Sequence, residues 1–192
     1  MHRQEKIALV LRDHIRVLES AFQRQSDEMV GFAERVVEAF HRGRRLYVLG
    51  SGPMAAVANL VASLFLHRLN LERPSLPAMS LCADETLALY LARDGQSQHY
   101  FSKQLRSLAG EGDIVLAFAD AGTDNLIQEA LKVSGQLGCT SAIVSREKAE
   151  FFKEPVDFSF RLETESGARM LEGCLFFGDL LCELVEGELF GI

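Results

Sequence analysis

LYVLGSGPMAAVANLVASLFLHRL, residues 46–69, decides the fold of this chain. Its first five residues are an apolar run ending in glycine, and from Ala55 to Leu69 the apolar positions follow helical spacing, so the segment reads as strand, tight loop, helix. The same order recurs downstream. SLPAMSL (75–81) reads as a strand, DETLALYLARDG (84–95) as a helix, and SQHYFSKQLRSLAG (97–110) as a further helix closed by glycine. DIVLAF (113–118) predicts a buried strand that runs through ADAGTD (119–124) into the helix NLIQEALKVSGQLG (125–138). TSAIVS (140–145) and VDFSFRL (156–162) read as strands on either side of a polar stretch rich in Lys and Glu, and a last helix runs from about Ala168 to Phe190. Strands alternating with helices imply a parallel sheet with helices on both faces, because parallel strands need crossover connections.

The residues before this pattern read as two helices. In the first, Ile7, Leu11, Ile15, Leu18 and Phe22 recur at helical steps, with Val10, Val17 and Ala21 as a second apolar line beside them. In the second, Met29, Ala33, Val36, Val37 and Phe40 keep helical spacing, with Ser26 and Asp27 available as caps and Gly43 as the stop. A stripe this wide predicts packing on a neighbouring subunit, in a dimer or a tetramer. The last helix, apolar on nearly all sides, predicts burial against both the sheet and another copy. No repeat, low-complexity tract or Pro/Gly linker divides the 192 residues, so one domain is expected, with an N-terminal arm over 1–43 and an α/β core over 44–192.

With 20 Lys+Arg against 27 Asp+Glu, the net charge of -7 repels phosphate backbones and anionic headgroups, which disfavours direct nucleic-acid or membrane binding. Cys82, Cys139, Cys174 and Cys182 show no CxxC pairing and sit in apolar surroundings. Neither a signal-peptide pattern nor a membrane-spanning run is present, so a cytoplasmic protein is expected. His2, His14, His41, His67 and His99 are scattered without metal-ligand spacing, and solvated or capping roles are expected for them.

In a doubly wound sheet the ligand crevice lies at the C-terminal ends of the strands, where helix N-termini point free N–H groups outward. GSGPMA (50–55) and ADAGTD (119–124) occupy such positions, although tight turns also need glycine.

These loops, with ERPSLPAMSL (72–81), Asp84, GDIVLAF (112–118) and ARMLEGCLFFGDLLCELVEGELF (168–190), resemble the sugar isomerase (SIS) domain family, in its phosphoheptose isomerase and DnaA initiator-associating branch. The resemblance implies a flavodoxin-like five-stranded parallel sheet and a homo-oligomer, usually a tetramer, with ligand sites at subunit interfaces. It also implies phosphate-binding serines at positions that here carry Met54, Ala119, Ala121 and Asp124. The family's acid/base and zinc positions read Leu60, Leu64, Leu171 and Asp179, and an aspartate before Arg169 is replaced by Ala168. Leucine neither ligates zinc nor moves a proton, so no metal or other cofactor is expected and the crevice is expected to be filled by packing.

Ligand-compatible residues remain: Gly50, Ser51, Gly52, Asp84, Asp120, Gly122, Thr123, Asp124, Arg169 and Glu172. Each also has a structural reading, with Ser51, Thr123, Asp84 and Asp124 as helix caps and Arg169 with Glu172 as an i,i+3 ion pair. The carboxylates Asp84, Asp120 and Asp124 favour a neutral or amine-bearing sugar over an anionic one. Asp179, inside an apolar helix, predicts a cationic partner across an interface, and Cys174 an inert core thiol.

Two functions follow. One is a non-catalytic, oligomeric SIS-domain protein that binds a carbohydrate derivative or a regulatory partner; Leu189 and Phe190 match the partner-binding end of the initiator-associating branch, so a replication initiator is one candidate partner. The other is a sugar-phosphate isomerase, acting on substrates such as sedoheptulose 7-phosphate, with a rebuilt set of carboxylates: Asp84, Asp120, Asp124, Glu172 or Asp179.

Overall fold

The structure, a computed structural model, describes residues 3–69, 72–120, 124–146 and 152–191. Two helices come first, α1 (Arg3–Arg24) and α2 (Ser26–His41), followed by β1 (Leu46–Gly50), α3 (Met54–Leu66), β2 (Ala78–Ser80), α4 (Glu85–Arg93) and α5 (Tyr100–Leu108). β3 (Ile114–Ala119), α6 (Asn125–Gln136), β4 (Thr140–Ser145), β5 (Phe158–Arg161) and α7 (Gly167–Phe190) complete the order. The strands form one sheet, β2-β1-β3-β4-β5, parallel throughout. This is the doubly wound arrangement the alternation of elements predicts.

β1, β3 and β4 are buried at every residue, which is why they read as unbroken apolar runs. Successive side chains still divide between the faces. Leu46, Val48, Ile114, Leu116 and Phe118 join the layer of α2, α3 and α7, whereas Tyr47, Leu49, Val115, Ala117 and Ala119 join that of α4, α5 and α6. α7 reaches α3 so closely that a Cβ on Gly178 would lie 2.1 Å from a methyl of Val61, and one on Gly173 2.6 Å from Leu162.

Two anchors were not legible in advance. Gln25, at the α1–α2 junction, donates to the carbonyls of Ala21 (2.9 Å) and Arg161 (3.0 Å) and accepts from the Arg161 amide (2.7 Å), pinning the edge strand β5 to the helical arm. Arg73 is buried to 1% exposure against Glu186 at 3%, with Nε donating to the carboxylate at 2.7 Å. Its other nitrogens donate to the carbonyls of Leu64, Phe65 and Pro74 at 2.8–3.0 Å. This ends α3 at Leu66, three residues before the apolar spacing runs out, because the last-turn carbonyls find a guanidinium instead of a further turn.

Ser26 and Asp27 lie inside α2 and do not cap it; the N-cap position is Gln25, without a side-chain cap bond. Gly43 does end the element, with φ of 71°. On α1, Ile7 (70%), Leu11 (56%) and Ile15 (44%) face outward, as does Val10, while Val17 and Ala21 are buried. Among the described residues, no helix is long and apolar enough to cross a membrane.

Candidate functional site

The two loops expected to form a crevice meet at the C-terminal edge of the sheet. β1 ends at Gly50, where an added Cβ would strike the Met54 backbone at 2.6 Å, so the turn into α3 needs glycine. Ser51 follows and donates its hydroxyl to the Asp124 carboxylate, 73 residues away, joining the β1 and β3 loops. Asp124 also accepts from the Leu126 amide at 2.9 Å, the N-cap of α6. Ser51 therefore spans the loops and does not cap α3, whose N-cap residue is Pro53. Gly52 is exposed with φ of 54°. Gly122 and Thr123 lie outside the described residues.

Asp84 caps α4 by accepting from the Leu87 amide at 2.8 Å, and its carbonyl accepts from the Tyr100 hydroxyl at 3.1 Å. Next to it, the Cys82 thiol donates to the Gly50 carbonyl at 3.4 Å, and burial pushes that thiol up from its ordinary pKa. The end of β2 is thereby tied to the end of β1.

The carboxylates expected to repel an anion are not bare. Asp120, exposed beyond β3, pairs with Arg146, which follows β4 and also approaches Glu165 at 3.7 Å. Composition marked this stretch only as polar, and no sequence signal pairs Arg146 with a residue 26 positions earlier. Asp120 and Asp124 therefore oppose a phosphate less than their bare charges imply: one is balanced by a guanidinium and the other is spent on a cap and a hydroxyl. A cavity of about 510 Å³ adjoins Arg146, lined also by Arg16, Arg161, Thr164 and Ser166.

On α7, Arg169 and Glu172 form the expected i,i+3 pair at 2.8 Å. The structure adds two partners from α1. His14 Nδ1 lies 2.6 Å from the other Glu172 oxygen, and Arg169 donates to the Val10 carbonyl at 3.0 Å. His14 is therefore a partly buried bridge between helices, where solvation or capping was expected.

The positions that the family resemblance links to acid/base and metal chemistry fall on α3 and α7. Leu64 and Leu171 pack against the core, as expected of a filled site, but Leu60 is 47% exposed and does not. Two leucines beside a third, with one aspartate, do not make a zinc site, and no step is assigned to a metal. Among the described residues, no cationic side chain pairs with Asp179; burial first and neighbouring Glu183 second push its carboxyl above the usual aspartate range. Cys174 is fully buried, and desolvation drives its thiol far up, consistent with an inert core residue. Leu189 packs partly on the core, and Phe190 is 38% exposed.

Against known proteins, the SIS domain model matches residues 11–145. The chain belongs to the SIS domain family. This SIS chain is 30% identical over its whole length to a phosphoheptose isomerase of Thermodesulfovibrio yellowstonii, covering 96% of that protein. It is 31% identical over 98% of its length to that of Trichlorobacter lovleyi, again covering 96% of the relative. Among solved structures, a phosphoheptose isomerase from Francisella tularensis superposes with a TM-score of 0.86 at 20% identity, covering 96% of this chain and 98% of that one. The phosphoheptose isomerase of Neisseria gonorrhoeae gives 0.85 at 20% identity, covering 97% and 100%. The SIS chain is thus phosphoheptose isomerase-like from end to end.

Proposed function

We propose that this chain handles a phosphorylated sugar in the crevice over the C-terminal ends of β1 and β3, and that sugar-phosphate isomerisation is the activity to test first. The observation that carries the location is the Ser51–Asp124 hydrogen bond, which ties the residue after β1 to the N-cap of α6 at the sheet edge. The relatives' names support the isomerase reading over the non-catalytic and initiator-associating ones.

Isomerisation of an aldose to a ketose moves a proton between adjacent carbons, so a group that holds and returns a proton is required. Of the rebuilt carboxylates, Asp84 and Asp124 are engaged as helix caps, Asp120 with Arg146, and Glu172 with Arg169 and His14. Among the described residues, Asp179 is the carboxyl of this set without such a partner, and burial, which raises its pKa, makes its carboxylate a stronger base for taking up the proton it later returns. It is the proton carrier this reading assigns, and Asp179→Asn is expected to abolish turnover while leaving ligand binding in place.

A second reading, binding without turnover, is favoured by Leu60, Leu64 and Leu171, which cannot exchange protons. One experiment separates the two. In a thermal-shift titration with sedoheptulose 7-phosphate, ligand at a hundredfold excess over its dissociation constant stabilises the folded state by about 2.7 kcal/mol. A shift with product formation supports the isomerase; a shift without product supports the binding protein. No shift across a panel of sugar phosphates refutes both and directs attention to protein partners, beginning with a Leu189/Phe190 double alanine variant.

A further inference from the structure

The end of the sheet opposite the crevice carries a second polar cavity. Its volume is about 360 Å³, and Arg35, Arg42 and Arg44 line it with Glu111, Gly112 and Gly138. Three features make it more than a chance cluster. First, two walls are glycines with φ of 84° and 73°, and the loops bearing them are tied by the Gly112 amide donating to the Gly138 carbonyl at 2.9 Å. A Cβ on Gly138 would lie 3.2 Å from the Glu111 side chain and one on Gly112 in ordinary contact, 3.4 Å, with the Arg44 guanidinium, and both turns need glycine for their positive φ.

Second, the arginines are not needed to satisfy the end of α2. The last carbonyls of that helix already accept from the backbone amides of Arg42, Gly43 and Arg44. Third, the cavity has cationic donors left over. Glu38 is shared between Arg35, at 2.6 Å, and Arg42, while Arg35 Nε donates to the Thr140 hydroxyl at 3.2 Å. Arg44 has no hydrogen-bonding or ionic side-chain partner among the described residues. Counting Glu38 and Glu111, three guanidiniums face two carboxylates on a chain whose net charge is -7.

We infer that this cavity is an anion site for a phosphate or phosphate monoester, with the free Arg44 guanidinium as its principal donor and Arg42 and Arg35 beside it. A planar guanidinium pairs two of its N–H groups with two oxygens of a tetrahedral anion, which an ammonium cannot do. The five residues of β1 separate this end from the crevice by roughly 16 Å, so the site is distinct from the one proposed above and does not depend on it.

The test uses the full chain and inorganic phosphate, followed by phosphorus NMR line broadening or calorimetry at low salt. Binding is expected, weakening as ionic strength rises. Arg44→Gln, a change at an exposed side chain, is expected to weaken it about tenfold or more, with Arg44→Lys recovering only part. Arg93→Gln, at an exposed arginine that lines neither site, is expected to leave it unchanged. Absence of phosphate binding overturns the inference, as does binding that is indifferent to Arg44→Gln or that falls as far in Arg93→Gln.

Discussion

Replacing Arg73 by methionine tests how the crevice-bearing helices are held. In the native protein its guanidinium makes a 2.7 Å charge-assisted bond to Glu186, both side chains buried, and three bonds to carbonyls of Leu64, Phe65 and Pro74, the last of them exposed. Methionine keeps the volume and removes every donor. Glu186 then keeps the Leu69 amide, at 3.2 Å, and the Cys182 thiol, at 3.8 Å, but loses its charged partner, and the C-terminal carbonyls of α3 lose their caps. Breaking a buried pair from one side costs about 3–5 kcal/mol, mostly from the stranded charge. For a chain of this size that is a fall in Tm of roughly 6–20 °C. The double variant Arg73→Met/Glu186→Leu removes the charge together with its partner and is expected to recover most of the loss. Urea unfolding followed by circular dichroism, at one fixed protein concentration, measures both. A single variant within about 1 kcal/mol of the parent, or a double variant no better than the single, refutes the argument that burial makes this pair decisive.

Other outcomes follow from the same structure. Asp124→Ala removes the α6 cap and the bond from Ser51, and is expected to lower stability by about 1–2 kcal/mol in urea melts, while Asp124→Ser, which keeps a capping oxygen, loses less. Gly178→Ala drives a methyl into Val61 and is expected to cost about 1–3 kcal/mol, partly relieved by Val61→Ala in the same chain. Because the Asp179 carboxyl is raised in the folded state, its contribution is fully present below the ordinary aspartate pKa of 3.8 and is lost as pH rises through the higher folded value. Asp179→Asn is therefore expected to flatten that fall and to be more stable than the parent at neutral pH, measured as the unfolding midpoint against pH. Burial pushes the Cys139 thiol up to about 11 and the Cys182 thiol up to about 12, so both are expected to react with a thiol reagent only after denaturant is added.

The sequence by itself determined the sheet and its layers. β1, β3 and β4 are buried on both faces, so their apolar runs are unbroken, and β1 and β4 have the limits that pattern predicts. The glycines at 50 and 43 mark turns because the backbone there needs a missing Cβ or a positive φ. These features are local in the chain, and local patterning records them.

Tertiary structure alone decided the pairings that shape the site. Ser51 reaches Asp124, Arg146 reaches Asp120, His14 reaches Glu172 and Arg73 reaches Glu186 across separations of 26 to 158 residues. Nothing in the spacing of these residues announces their partners. A carboxylate read in isolation looks like a repulsive charge or a proton carrier, and which of the two it becomes depends on the donor that folding brings beside it. The same holds for the three arginines at the far end of the sheet: α2 and β1 set them close in sequence, but only the Gly112 and Gly138 turns, contributed by two later crossovers, close a cavity around them.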